Sequence, residues 1–123
     1  MVIIYGIANC DTVKKARTWL TANSVAHHFH DFKKSGVPTK ELSIWLKALG
    51  HNKLLARHGS TWRRLGAELQ LAVHDDASAT ALMLAQPSVI KRPVVWWHNG
   101  GAAGTITVGF DADVWQQFIN PQH

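Results

Sequence analysis

The hydrophobic and polar positions divide the chain into three stretches of different rhythm. Residues 2–7 are a run of β-branched, aromatic and apolar side chains broken near Asn9, the pattern of a buried strand. Helical spacing follows: Val13, Ala16 and Leu20 fall on one face, Lys14, Lys15 and Arg17 on others, and Asn23 is the stop. Residues 25–32 form a second strand with poorer alternation. A strand, a helix and a strand within about 30 residues predict a parallel β-α-β unit.

The middle stretch is helical. Pro38 and Thr39 open a helix and Gly50 closes it, with Leu42, Trp45, Leu46 and Leu49 as its apolar stripe. Short helical pieces are expected around Leu54, over 62–65 and over 68–73. The Ala- and Leu-rich segment 76–85 is a further helix ended by Pro87. Asp75 and Asp76 stand where acidic side chains favour a helix start. Strand chemistry returns at 94–97, His98-Asn99-Gly100-Gly101 is a turn signal, 105–108 is the hairpin partner, and 111–118 is a last helix. The expectation is one α/β domain over 1–123. Its sheet parts lie at about 1–33 and 87–118, and a helical insertion lies at about 38–86.

Composition narrows the chemistry. One cysteine among 123 residues cannot form an internal disulfide, so a secreted disulfide framework is excluded. The opening residues read as a strand rather than a signal peptide, and no apolar run approaches the roughly 20 residues of a membrane span. A reducing cytoplasm is the expected compartment, with no membrane partner. The net charge of +5 gathers at Arg57, Arg63 and Arg64 and at Lys91 and Arg92, which suits a small anionic partner. Nucleic acid is not expected, because no basic stripe runs along one helix and no nucleic-acid motif occurs. His27, His28 and His30 cluster on the second strand, but further ligands at useful spacing are missing, so no metal is expected. The six tryptophans read as core or half-buried cover.

Cys10 stands between the first strand and the first helix. Unpaired N–H groups and the helix dipole favour a thiolate there, and Lys14 and Lys15 add positive charge. The same donors would hold an anion near the sulfur. Thr12 is a candidate hydrogen-bond donor to the sulfur, and Asn9 and Asp11 are candidates for shaping the loop. An inert, buried cysteine is the competing reading of the position.

Four segments in order carry a resemblance: Tyr5-Gly6-Ile7-Ala8-Asn9-Cys10-Asp11-Thr12-Val13-Lys14-Lys15-Ala16, Gly59-Ser60-Thr61-Trp62-Arg63, Pro87-Ser88-Val89-Ile90-Lys91-Arg92-Pro93-Val94, and Val108-Gly109-Phe110. Together they resemble the ArsC/Spx-like family of the thioredoxin superfamily, nearest its YffB-like branch. The resemblance implies a thioredoxin-like sheet with a helical insertion and Cys10 as the nucleophile. It implies arginines that hold an oxyanion, Arg92 foremost and Arg57 from the segment before Gly59, with Trp62 nearby. It implies a cis Pro93 facing the cysteine. The 105–108 strand carries no arginine for a third oxyanion contact. The implied activity is a glutathione-dependent thiol oxidoreductase resembling arsenate reductase, acting on a small oxyanion or a disulfide. Position 13 is Val, so no C-x-x-C pair exists and the resolving thiol comes from outside. Glutathione is the expected co-substrate, with glutaredoxin as a further partner. The alternative within the family is an Spx-like regulator that binds RNA polymerase.

Overall fold

The structure, a computed structural model, describes residues 1–98 and 104–119. Its elements run in the order β-α-β, a helical block, then β-β-α. They group into two compact units, one of residues 1–34 with the described residues from 92 onward, the other of residues 35–91.

The first unit holds a four-stranded sheet. Strand β1 (Val2–Gly6) lies between β2 (His27–Asp31) and β3 (Val94–Trp96), and β4 (Ile106–Val108) completes the order β2-β1-β3-β4. β1 and β2 are parallel, with Val2 opposite His27 and Gly6 opposite Asp31. Helix α1 (Asp11–Ala22) makes the crossover between them, as a parallel pair requires. β3 runs antiparallel to both β1 and β4. The turn expected at residues 98–101 lies largely outside the described residues.

Periodicity explains why α1 sits on the sheet. Val13, Ala16 and Leu20 are its buried positions, and the lysines between them are exposed. Ala16 and Leu20 join Val2 and Ile4 of β1, Val25, Val95 and Trp97 in one hydrophobic cluster. Trp115 of the last helix enters the same cluster, its ring 5.0 Å from that of Trp97. The indole N–H of Trp97 donates to Thr107 Oγ1 at 3.0 Å, so the buried ring carries no unpaired donor. The second strand is shorter than the 25–32 read from sequence. Val25 instead donates its N–H to Leu20 O, serving the end of α1.

The second unit is helical. A short α2 (Phe32–Ser35) spans the boundary and precedes α3 (Thr39–Leu49), α4 (His51–Leu54), α5 (Ser60–Arg64), α6 (Ala67–Leu71) and α7 (Asp76–Ala85). Leu42, Trp45 and Leu46 of α3 are buried, while Leu49 is half-buried. Gly50 ends α3 with φ of 82°, the left-handed region that glycine enters without steric cost. α7 opens on a capping box: Asp75 Oδ1 accepts from Ser78 N at 2.8 Å, and Ser78 Oγ accepts from Asp75 N at 3.1 Å. Pro87 starts a 3-10 turn (Pro87–Val89) after α7. That turn is tied to the end of α4 by Ala56 N–H donating to Val89 O at 2.8 Å and Lys91 N–H to Leu54 O at 2.7 Å. The last helix of the chain, α8 (Ala112–Ile119), belongs to the first unit. Among the described residues no helix is long and apolar enough to cross a membrane.

Candidate active site

Cys10 is the N-cap residue of α1. Its backbone is extended (φ −139°, ψ 122°), and its carbonyl accepts the Lys14 N–H at 2.9 Å, closing the first helical turn. The N–H groups of that turn have no intrahelical partner, and the cysteine at their head is partly buried. Burial is the largest single influence on the thiol and pushes its pKa up. The nearby Val13 N–H opposes it most, followed by the Arg92 side chain, through hydrogen bonding and then charge, and by the Thr12 N–H. The balance holds Cys10 below the ordinary cysteine range. A thiolate therefore forms more readily here than on a free thiol, and the site remains open enough to be reached.

Sheet register brings Arg92 to the sulfur. Tyr5 stands opposite Val94. Continuing the antiparallel register carries Pro93 and Arg92 past Gly6 toward the loop that leads to Cys10. The Arg92–Pro93 bond is cis, Pro93 is buried, and its carbonyl accepts the Gly109 N–H at 2.9 Å. The end of β4 thus fixes the residue next to the arginine.

Gly6 completes this arrangement, and the sequence reading did not single it out. A Cβ at Gly6 would stand 2.8 Å from Val13 Cγ2 and 3.9 Å from Arg92 Cβ. The strand end and the helix start approach too closely for any side chain. The available signal was a glycine inside a strand pattern, which marks close backbone approach. By its spacing Val13 is a core position. The structure gives it a second task, because its N–H is the foremost contact that lowers the thiol's pKa.

Other expected site residues sit differently. Thr12 acts through its backbone N–H rather than its hydroxyl. Lys14 serves the cysteine through its backbone N–H to Cys10 O, while its exposed side chain lines depressions on the outer side of α1. Guanidinium and amide groups, not Lys14 or Lys15, dominate the sulfur's surroundings. Asn9 and Asp11 are exposed, and neither side chain makes a hydrogen bond among the described residues. Arg57 belongs to the second unit. There its guanidinium lies 4.8 Å from the centroid of the buried Trp62 ring and donates to Asn52 Oδ1 at 2.9 Å. Among the described residues no group of three or more His, Cys, Asp or Glu side chains is placed to hold a metal ion. Nδ1 of His27 pairs with Val25 O at 2.9 Å, and the His30 ring packs near Tyr5 and Phe32.

A four-stranded mixed sheet whose first strand leads, through a cysteine at the N-cap position, into the crossover helix is a thioredoxin-like domain. Residues 5–118 match the ArsC family, so the chain belongs to that family. It is 31% identical over 116 residues to an uncharacterized protein of Haemophilus influenzae, covering 94% of this chain and 96% of the relative. A solved structure of a YffB protein superposes with a TM-score of 0.85 at 42% identity, over 97% of this chain and 99% of that one. An arsenate reductase (ArsC) related protein from Brucella melitensis superposes with a TM-score of 0.72 at 44% identity, over 95% and 92% of the two chains.

Proposed function

We propose that the protein is a cytoplasmic thiol oxidoreductase of arsenate-reductase type, with Cys10 as nucleophile and glutathione as the external resolving thiol. The observation that carries this reading is a cysteine at the N-cap position of α1 whose thiol is held below its ordinary range by the Val13 N–H and the Arg92 guanidinium against the effect of burial. One fork of donors both lowers the thiol's pKa and presents positive charge to an incoming anion.

The chemistry follows from the sulfur. With a disulfide substrate, the Cys10 thiolate attacks one sulfur, forms a mixed disulfide and releases the other half as a thiolate. With arsenate, the thiolate displaces an oxygen from arsenic, which leaves as water after protonation. A glutathione thiolate then takes the two-electron oxidation onto sulfur, leaving Cys10 joined to glutathione and arsenic reduced to arsenite. In both cases Cys10 ends in a mixed disulfide. The chain has one cysteine, so the second thiol that frees it comes from outside, from glutathione or a glutaredoxin. Glutathione carries carboxylates, and Arg92 and the α1 N–H groups suit such an anion.

Intact-mass measurement after oxidised glutathione tests the reading. One glutathione adduct on the wild type, none on Cys10→Ser, and reversal by reduced glutathione are expected. An unmodified wild type, under conditions that modify a model thiol, overturns it. Arsenite formation from arsenate and glutathione decides between the two substrate classes.

A further inference from the structure

We propose that the outer face of α1 carries a second anion site, separate from the cysteine, that takes the phosphate group of a small soluble ligand. A depression of about 270 Å³ lies there, lined by Lys14, Arg17, Thr18, Thr21 and His27. The first four follow the spacing i, i+3, i+4, i+7, which places them along one face of the helix. His27 joins them from the start of β2, the strand that α1 feeds.

Every side chain in that lining is a donor or can become one, and no carboxylate is among them. Among the described residues, no Asp or Glu pairs with Lys14, Arg17 or His27. Two of these side chains are already oriented. The Arg17 guanidinium carbon lies 4.2 Å from the centroid of the Phe29 ring, which restrains a long side chain that otherwise loses much rotamer entropy on binding. Nδ1 of His27 is 2.9 Å from Val25 O, so the proton of that contact sits on Nδ1 and Nε2 is the ring's remaining polar atom. The planar Arg17 fork matches two phosphate oxygens, Lys14 supplies a point charge, and the two threonine hydroxyls donate to further oxygens. A phosphate also carries an exchangeable proton near neutrality, which it can share with Nε2. Sulfate has no such proton, so the lining favours phosphate over sulfate.

The test is a titration of the full-length protein with inorganic phosphate, followed by amide and side-chain NMR signals at constant ionic strength. The expected result is a saturable shift of the Thr18, Thr21, Arg17 side-chain and His27 signals, weaker with sulfate and absent with chloride. Arg17→Gln should weaken this binding by about tenfold or more, through loss of the guanidinium's charge-assisted hydrogen bonds. His27→Gln should narrow the preference for phosphate over sulfate. Arg92→Ala should leave the α1 shifts in place, which separates this site from anion binding at Cys10. An equal response to chloride, shifts confined to residues 10–13, or undiminished affinity in folded Arg17→Gln would each overturn the proposal. Co-sedimentation with phosphatidylglycerol vesicles, without saturable binding of free phosphate, would overturn the small-ligand assignment.

Discussion

Arg92 is one of the groups that set the chemistry of Cys10. Burial raises the thiol's pKa, and the Val13 N–H, the Arg92 guanidinium and the Thr12 N–H more than cancel that rise. Removing Arg92 leaves the amide contacts standing against the same burial. The midpoint of Cys10 alkylation rate against pH is therefore expected to move up in Arg92→Lys and further in Arg92→Ala. Below the wild-type midpoint the rate falls about tenfold for each pKa unit of rise, because the thiolate fraction falls by that factor. Equal midpoints in all three folded proteins would remove Arg92 from the site. The folded-state pKa is depressed, so the sulfur's contacts contribute stability that is complete above the pKa of an unfolded cysteine. That contribution is lost as pH falls through the folded value. Wild type should gain on Cys10→Ser in thermal melts as pH rises across that window.

At the scale of elements, the contact between the end of β1 and the start of α1 decides whether the sulfur meets its donors. Val13 is fully buried and β-branched, so its Cγ2 cannot swing away from a Cβ placed 2.8 Å off at Gly6. Gly6→Ala is expected to cost about 1–3 kcal/mol by overpacking. It should also raise the alkylation midpoint, because α1 carries the Val13 and Thr12 N–H groups away with it. The double variant Gly6→Ala/Val13→Ala relieves the clash and should recover the midpoint even though it loses core packing; failure to recover it would separate the close approach from the thiol's chemistry. In the second unit, Asp75 is held below the usual carboxylate range, first by the Ser78 hydroxyl and then by the Ser78 N–H. Its depressed pKa means that capping by the ionised form is complete above about pH 4 and lost as pH falls through the folded value. Asp75→Ala should lower the melting temperature by a few degrees near neutrality and by less in acid, while Asp75→Asn keeps a neutral cap and flattens the pH dependence. These two element starts differ in how far the sequence revealed them. Asp75 and Asp76 ahead of an Ala-rich helix were legible as acidic residues that favour its start, while the Ser78 half of the capping box was not. Also legible were α1, α3, α7 and the parallel β-α-β unit, whose apolar spacing is their packing. The role of Gly6, the Val13 N–H on the sulfur and the seat of Arg57 on Trp62 were not legible. Each depends on which backbone or ring folding brings beside it, and spacing along the chain carries no record of that. The family motif located Cys10 and Arg92 together, and the register of β3 on β1 supplies the physical reason they meet.

At the scale of the whole molecule, the proposed reaction with oxidised glutathione makes net charge testable. The chain carries a net charge of +5, and the carboxylates of oxidised glutathione make it an anion. A positive protein attracts such a ligand beyond contact distance, and the attraction extends over the Debye length, about 30 Å at 0.01 M salt and about 10 Å at 0.1 M. Once the ligand is within contact distance of Arg92, the half-buried guanidinium is screened much less than the exposed Arg63 and Arg64. Two contributions therefore separate by salt. The rate of Cys10 glutathionylation should fall as ionic strength rises over that range and then level off, the plateau reflecting the local contact with Arg92. An uncharged disulfide such as hydroxyethyl disulfide should react at a rate nearly independent of salt, because neither contribution acts on it. Arg92→Ala should lower the plateau for oxidised glutathione while keeping most of the slope, and it should change the reaction of the uncharged disulfide only through the thiolate fraction. Stopped-flow rates for the two disulfides, at matched pH and across a salt series, make the comparison directly. Identical salt profiles for the charged and uncharged disulfides would show that the positive charge plays no part in bringing an anion to Cys10. The basic surface would then be left with solvation alone.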